Sequence, residues 1–126
     1  MPALRFLQFD LSDADDGHAT LDAMASVRPD QLPALHAEVV RVLAWAHAEW
    51  PDGPGALDDG ASWDVDLQAS TERSSRQRLH YDPERRALQA DEPGREVLRH
   101  TLTLSIAASA AFAQAFVDAF GVAADD

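Results

Sequence analysis

Residues 62–72, SWDVDLQASTE, alternate apolar and polar side chains without a break. Trp63, Val65, Leu67 and Ala69 fall on one face, and Asp64, Asp66, Gln68 and Ser70 on the other. That is the period of a strand with one buried and one solvated face. Downstream, residues 76–82 continue the alternation, with Leu79 and Tyr81 inward and Arg76, Arg78 and His80 outward. Matching faces between these two stretches favours a three-residue loop at 73–75. It predicts Leu79 opposite Ala69, Tyr81 opposite Leu67, Glu72 opposite Arg76 and Gln68 opposite His80, because a one-residue slip would invert every side chain. Asp82-Pro83-Glu84-Arg85 reads as a type I turn with Pro at its second position. Leu88 and Ala90 then return opposite Tyr81 and Leu79. After a further turn at Asp91-Glu92-Pro93-Gly94, residues 96–106 form a last strand. Leu98, Leu102, Leu104 and Ile106 face inward, with His100 on the same parity, and Thr101, Thr103 and Ser105 face outward.

Working back towards the N-terminus, residues 51–61 (PDGPGALDDGA) are a Gly- and Pro-rich acidic loop. Residues 30–50 carry Leu32, Leu35, Val39, Val42, Leu43, Ala46 and Trp50 at spacings of three and four, an amphipathic helix. Pro33 suits its first turn and Pro51 ends it. Residues 18–27 read as a strand with Ala19, Leu21, Ala23, Ala25 and Val27 on one face; as a helix they offer only the short stripe Leu21, Met24 and Ala25. SDADDG (12–17) is a turn that hairpins this strand to residues 3–11. There Leu7, Phe9 and Leu11 share one face and Leu4 and Phe6 the other. At the C-terminal end a helix spans 109–120, with Ser109 as N-cap, Phe112, Phe116 and Phe120 as an i, i+4, i+8 stripe, and Gly121 just past the last turn. The order ββ–α–ββββ–α predicts an α+β fold, an antiparallel sheet with two amphipathic helices packed on one face. A length of 126 residues predicts a single domain, residues 1–126, with 122–126 frayed.

Charge is unevenly placed. The chain has 22 Asp and Glu against 10 bases, all Arg, for a net charge of −12. Seven of the Arg lie between Arg73 and Arg99, beside five acids, so that segment is net +2 and the remainder −14. Such an acidic balance argues against nucleic acid as the main partner, since phosphate binding needs a dominant basic field. No Cys is present, which removes disulfides, thiolate nucleophiles and Cys-ligated zinc, and no Lys, which removes Schiff-base chemistry. Abundant Ala with Arg in place of Lys fits a GC-rich coding sequence and a bacterial source. No stretch reaches the ~18 apolar residues of a membrane span, and Met1–Asp10 lacks the pattern of a secretory signal. The expected location is cytoplasmic.

Motifs that resemble catalytic or metal signatures fail on spacing. Counting back from Gly17, SDADDG has Ala14 and Ser12 where a calcium loop needs acids, and Ala23 where it needs its closing Glu. His47-Ala48-Glu49 has no later Cys pair to complete a zinc deaminase site. His36 and His47 lie roughly 16 Å apart along their helix, too far to share a metal. Gly60-Ala61-Ser62-Trp63-Asp64 lacks the final Gly of a nucleophile elbow and precedes a strand rather than a helix. No cofactor or metal is therefore expected. Asp64 and Asp66, about 7 Å apart on one strand face, have the separation of a carboxylate pair, although solvation or pairing with Arg explains them more simply. With Arg76, Arg78 and His80 they make a candidate site for a small anion, ligand or substrate. Trp45 lies off the main helical stripe, which implies either burial on a second side or a patch left for a partner. The functional expectation that charge and size support leans away from an enzyme. It is an acidic protein-interaction module binding a basic protein or itself as a homodimer, a physical profile shared with immunity proteins and secretion chaperones.

Overall fold

A computed structural model of the chain describes residues 4–14 and 16–122. The start of the first expected strand, at Ala3, and the tail 123–126 expected to fray lie outside the described residues. Six strands and two helices follow the expected order: β1 (Asp10–Asp13), β2 (Ala19–Val27), α1 (Leu32–Glu49), β3 (Trp63–Ser75), β4 (Leu79–Asp82), β5 (Ala87–Ala90), β6 (Glu96–Ala108) and α2 (Ala110–Phe120). The fold is α+β with antiparallel sheets. β1, β2, β6 and β3 form a four-stranded sheet in that order, and β4 and β5 form a separate two-stranded ribbon.

The alternation of residues 18–27 resolves as a strand. Ala19, Leu21, Ala23, Ala25 and Val27 are buried beneath the helices, and the intervening Asp22, Met24 and Ser26 are exposed. Opposite them on β6 stand Ala108, Ile106, Leu104 and Leu102, all buried. α1 contributes Leu35, Val39, Val42 and Ala46 to this core, and α2 contributes Phe112, Ala113 and Phe116. Full burial of each such Leu, Ile or Phe is worth roughly 1.5–3 kcal/mol. Trp63 closes one end of the core, stacked on Phe112 with ring centroids 5.5 Å apart and meeting His47 edge-on at 5.3 Å. Trp45 is half-buried on a second side of α1. Its ring stands edge-on to Phe112, Phe116 and Phe120, so the Phe stripe of α2 packs against α1 and the sheet. Ser109 caps α2 by accepting the Phe112 N–H at 3.2 Å, and Gly121, at φ 71°, ends it.

Two expectations are corrected. First, residues 4–9 are not strand; β1 begins only at Asp10. The cause is Glu38, a carboxylate on the buried face of α1. It accepts the N–H groups of Arg5, Phe6 and Leu7 at 2.9–3.1 Å. Three successive donors turned to one anion cannot alternate outward as a strand requires. Leu7 and Phe9 still reach the core, Phe9 edge-on to Phe116 at 4.9 Å.

Second, β3 does not turn back on β4. It runs straight through Ser75 and pairs with β6 from Trp63↔Ala108 to Ser75↔Glu96. Leu67 therefore faces Leu104 rather than Tyr81, and Ala69 faces Leu102 rather than Leu79. Pairing with β6 sets these residues against buried neighbours, whereas the shorter loop would have set them against exposed ones. The expected turn at 91–94 does not reverse the chain either. Residues 91–95 oppose only 76–78, a bulge held by Gly94 N–H to the Arg76 carbonyl at 2.8 Å and Asp91 N–H to the Arg78 carbonyl at 3.0 Å. A Cβ at Gly94 would come within 2.9 Å of that Arg76 oxygen, so the close approach requires glycine there. Beyond the bulge the expected register holds, with Leu79 opposite Ala90 and Tyr81 opposite Leu88. The single reversal falls at residues 83–86. There Asp82 accepts the Glu84 and Arg85 N–H groups and Arg86 takes φ 51°. Residues 63–108 are thus one long hairpin.

Candidate interaction surface

Neither β2 nor the helices extend as far as this hairpin does. β2 ends opposite His100, so residues 72–99 continue past the four-stranded sheet as a two-stranded arm. From Thr71 to the turn at Pro83 the arm spans about 40 Å at the usual strand rise. No residue between Glu72 and Arg99 is buried. Leu79, Tyr81, Leu88 and Val97 are exposed large apolar residues, Leu88 to 68%. The arm coincides with the Arg-rich segment. Arg73 meets Glu96 at 3.4 Å and Arg85 meets Asp82 at 3.8 Å. Arg99 donates to the Ser26 hydroxyl at 2.9 Å, at the root of the arm. Among the described residues, Arg76, Arg78, Arg86 and Arg95 enter no ion pair.

The five residues expected to form an anion site are distributed along this hairpin. Asp64 and Asp66 lie at the start of β3 in the body. Asp64 accepts the Val65 N–H at 2.9 Å, and Asp66 accepts from the Gln68 side chain at 3.0 Å. Arg76 and Arg78 lie in the bulge of the arm. His80 lies on β4, 3.4 Å from the Asp91 carboxylate. Ten residues of extended chain, roughly 33 Å, separate Asp66 from Arg76. The structure therefore brings Arg76, Arg78 and His80 onto the arm and leaves both Asp in the body. Asp66 instead joins Asp10, Asp22 and Ser105 in a row across the outer face of the sheet, where Ser105 donates to Asp22. Among the described residues no group of three His, Asp or Glu is placed to hold a metal ion, and no helix is long and apolar enough to cross a membrane.

The edge of β3 was not legible as a surface. β3 is the last strand of its sheet, so one side of its backbone faces away from β6. Two hydrogen bonds show which residues point that way. Gly55 N–H donates to the Trp63 carbonyl at 2.9 Å, and the Val65 N–H goes to the Asp64 side chain. Odd-numbered residues of β3 thus direct their N–H and C=O outward, and even-numbered ones bond β6. The loop 51–61 and Asp64 satisfy the first two positions. At Leu67, Ala69 and Thr71 no backbone partner is present among the described residues. Beside this edge an apolar groove of about 500 Å³ opens between α1 and β3, lined by His36, Val39, Val40, Leu43, Leu67 and Ala69. Val40 is 65% and Leu67 47% exposed. The signal for this edge was present in the equal, long alternations of 62–72 and 96–106, which suit each other as partners.

Compared with protein families, curated proteins and solved structures, the chain finds no match.

Proposed function

We propose that this chain is a non-enzymatic protein-interaction module. It binds through a basic, apolar arm and an acidic body to surfaces of opposite charge, a basic protein or a second copy of itself. The observation that supports this reading is the arm. A two-stranded ribbon is marginally stable in water by itself, and this one carries four exposed large apolar side chains and seven Arg, with neighbours among the described residues only at its root, where residues 95–98 border residues 28–30 and Arg99 bonds Ser26. Exposed apolar residues rimmed by charge are the composition of a contact surface. The charge contrast between arm and body adds steering, which makes association fast and salt-sensitive.

The test is affinity capture with the tagged full-length chain at low salt, run beside a Leu79→Ser, Tyr81→Ser, Leu88→Ser variant. The expected result is one protein, or an untagged copy of this chain, retained by the native arm, lost with the variant and released by a salt step. Retention that ignores both the arm substitutions and salt overturns the reading.

A further inference from the structure

We infer that the partner is a second copy of this chain, joined through the free edges of β3. The inference rests on the interaction-module reading and names its occupant. Long unpaired strand edges are templates for another strand, and proteins usually blunt them with charge, proline or a covering loop. β3 carries the 51–61 loop and Asp64 at one end, Glu72 and Arg73 at the other, and between them a single charge, Asp66, on the outer face of the sheet. The stretch between, centred on Ala69, presents outward backbone groups at Leu67, Ala69 and Thr71 with no charged side chain on that parity. Antiparallel pairing of this stretch with itself is a two-fold contact, because the same residues serve both protomers. It joins two four-stranded sheets into one of eight strands. It also brings the exposed Leu67 and Val40 of each protomer towards the other's apolar groove.

Charge selects this occupant over an unrelated strand. In an antiparallel β3 pair, the C-terminal end of one strand runs past the N-terminal end of the other. Each arm therefore leaves its own body and passes the segment that precedes the other protomer's Trp63, the loop bearing Asp52, Asp58 and Asp59. Arg76 and Arg78, which enter no ion pair among the described residues, arrive first. The arm of each copy, in a segment of net +2, thus meets the Asp52, Asp58 and Asp59 loop of the other, twice per dimer, and this attraction offsets the two Asp66–Glu72 pairings that centring on Ala69 sets across the seam.

Sedimentation equilibrium of the full chain tests this. The expected native species is a dimer of 13.7 kDa protomers. Leu67→Arg places a charge at the pairing edge, and Ala69→Pro removes an outward N–H while Gln68 and Ser70 keep their bonds to β6. Both variants are expected to be monomeric, with Leu67→Arg retaining the native circular dichroism and melting profile in case the proline disturbs the strand. Arg76→Glu with Arg78→Glu is expected to raise the dimer dissociation constant about tenfold or more, as is Asp58→Arg with Asp59→Arg. Mixing those two chains restores opposite charges at both contacts and is expected to recover the dimer. A native chain that stays monomeric at all concentrations overturns β3 self-pairing while arm-dependent capture of a different protein would still stand. A dimer indifferent to Leu67→Arg also overturns it.

Discussion

The two halves of the 63–108 hairpin have the same backbone geometry and opposite surroundings. In the body, β6 from Leu102 to Ala108 is covered by β2 and β3 at its sides and by both helices on its inner face, and its inward residues are fully buried. In the arm, the same strand and its partner keep their hydrogen bonds, but beyond the root at residues 28–30 no residue of the arm is buried by the rest of the described chain. Alternation alone therefore specifies a strand without specifying what buries it. In this chain the body is held by packing and the arm by backbone pairing, so the body is the folding unit and the arm is left exposed.

Substitutions ought to separate the halves by size of effect. Phe112→Ala is expected to cost the most, about 3–5 kcal/mol of unfolding free energy in urea titration, because the ring touches Trp45, Trp50, Trp63 and Phe116 and leaves a cavity among them. A loss below about 1 kcal/mol would mean that the core is not organised around α2. Glu38→Ala comes next, at about 2–3 kcal/mol, since it strands the N–H groups of Arg5, Phe6 and Leu7. Glu38→Gln should recover part of that loss, because its amide oxygen still accepts; equal losses for both variants would show that the three N–H groups find other partners. Ser109→Ala removes the α2 cap and should cost about 1 kcal/mol. Smallest of all, Leu88→Ser on the arm is expected to leave monomer stability within about 0.5 kcal/mol while reducing capture of the partner. Destabilisation comparable to Phe112→Ala would erase the distinction between body and arm.

The elements of the fold were legible because each segment has a period that fits one structure: two for 18–27, 62–72 and 96–106, and near 3.6 for 30–50 and 109–120. The caps at Ser109 and Gly121 were legible from local chemistry, and so was the turn, read at 82–85 and found one residue on at 83–86. What was not legible depends on contacts between distant residues. Face matching between 62–72 and 76–82 was sound for those two stretches, but β6 offers the same parity with better-buried partners, and nothing local to Ser74 and Ser75 signals that the chain continues. Glu38 carried a readable sign, a carboxylate in line with Leu35 and Val42 on an apolar stripe, yet its role needed the N-terminal segment to be placed. The grouping of Arg76, Arg78 and His80 with Asp64 and Asp66 followed from the expected three-residue loop; once β3 extends to Ser75 the two sets separate by the length of the arm.

On the dimer reading, the edge of β3 at Leu67, Ala69 and Thr71, without a backbone partner among the described residues, acquires one from another copy. Amide hydrogen exchange measured at low and high protein concentration tests it most directly. The amides of Leu67, Ala69 and Thr71 are predicted to exchange rapidly in dilute solution and to become protected as concentration rises, while those of Leu104 and Ile106 stay protected throughout. Exchange at Leu67, Ala69 and Thr71 that is the same at both concentrations would contradict the account.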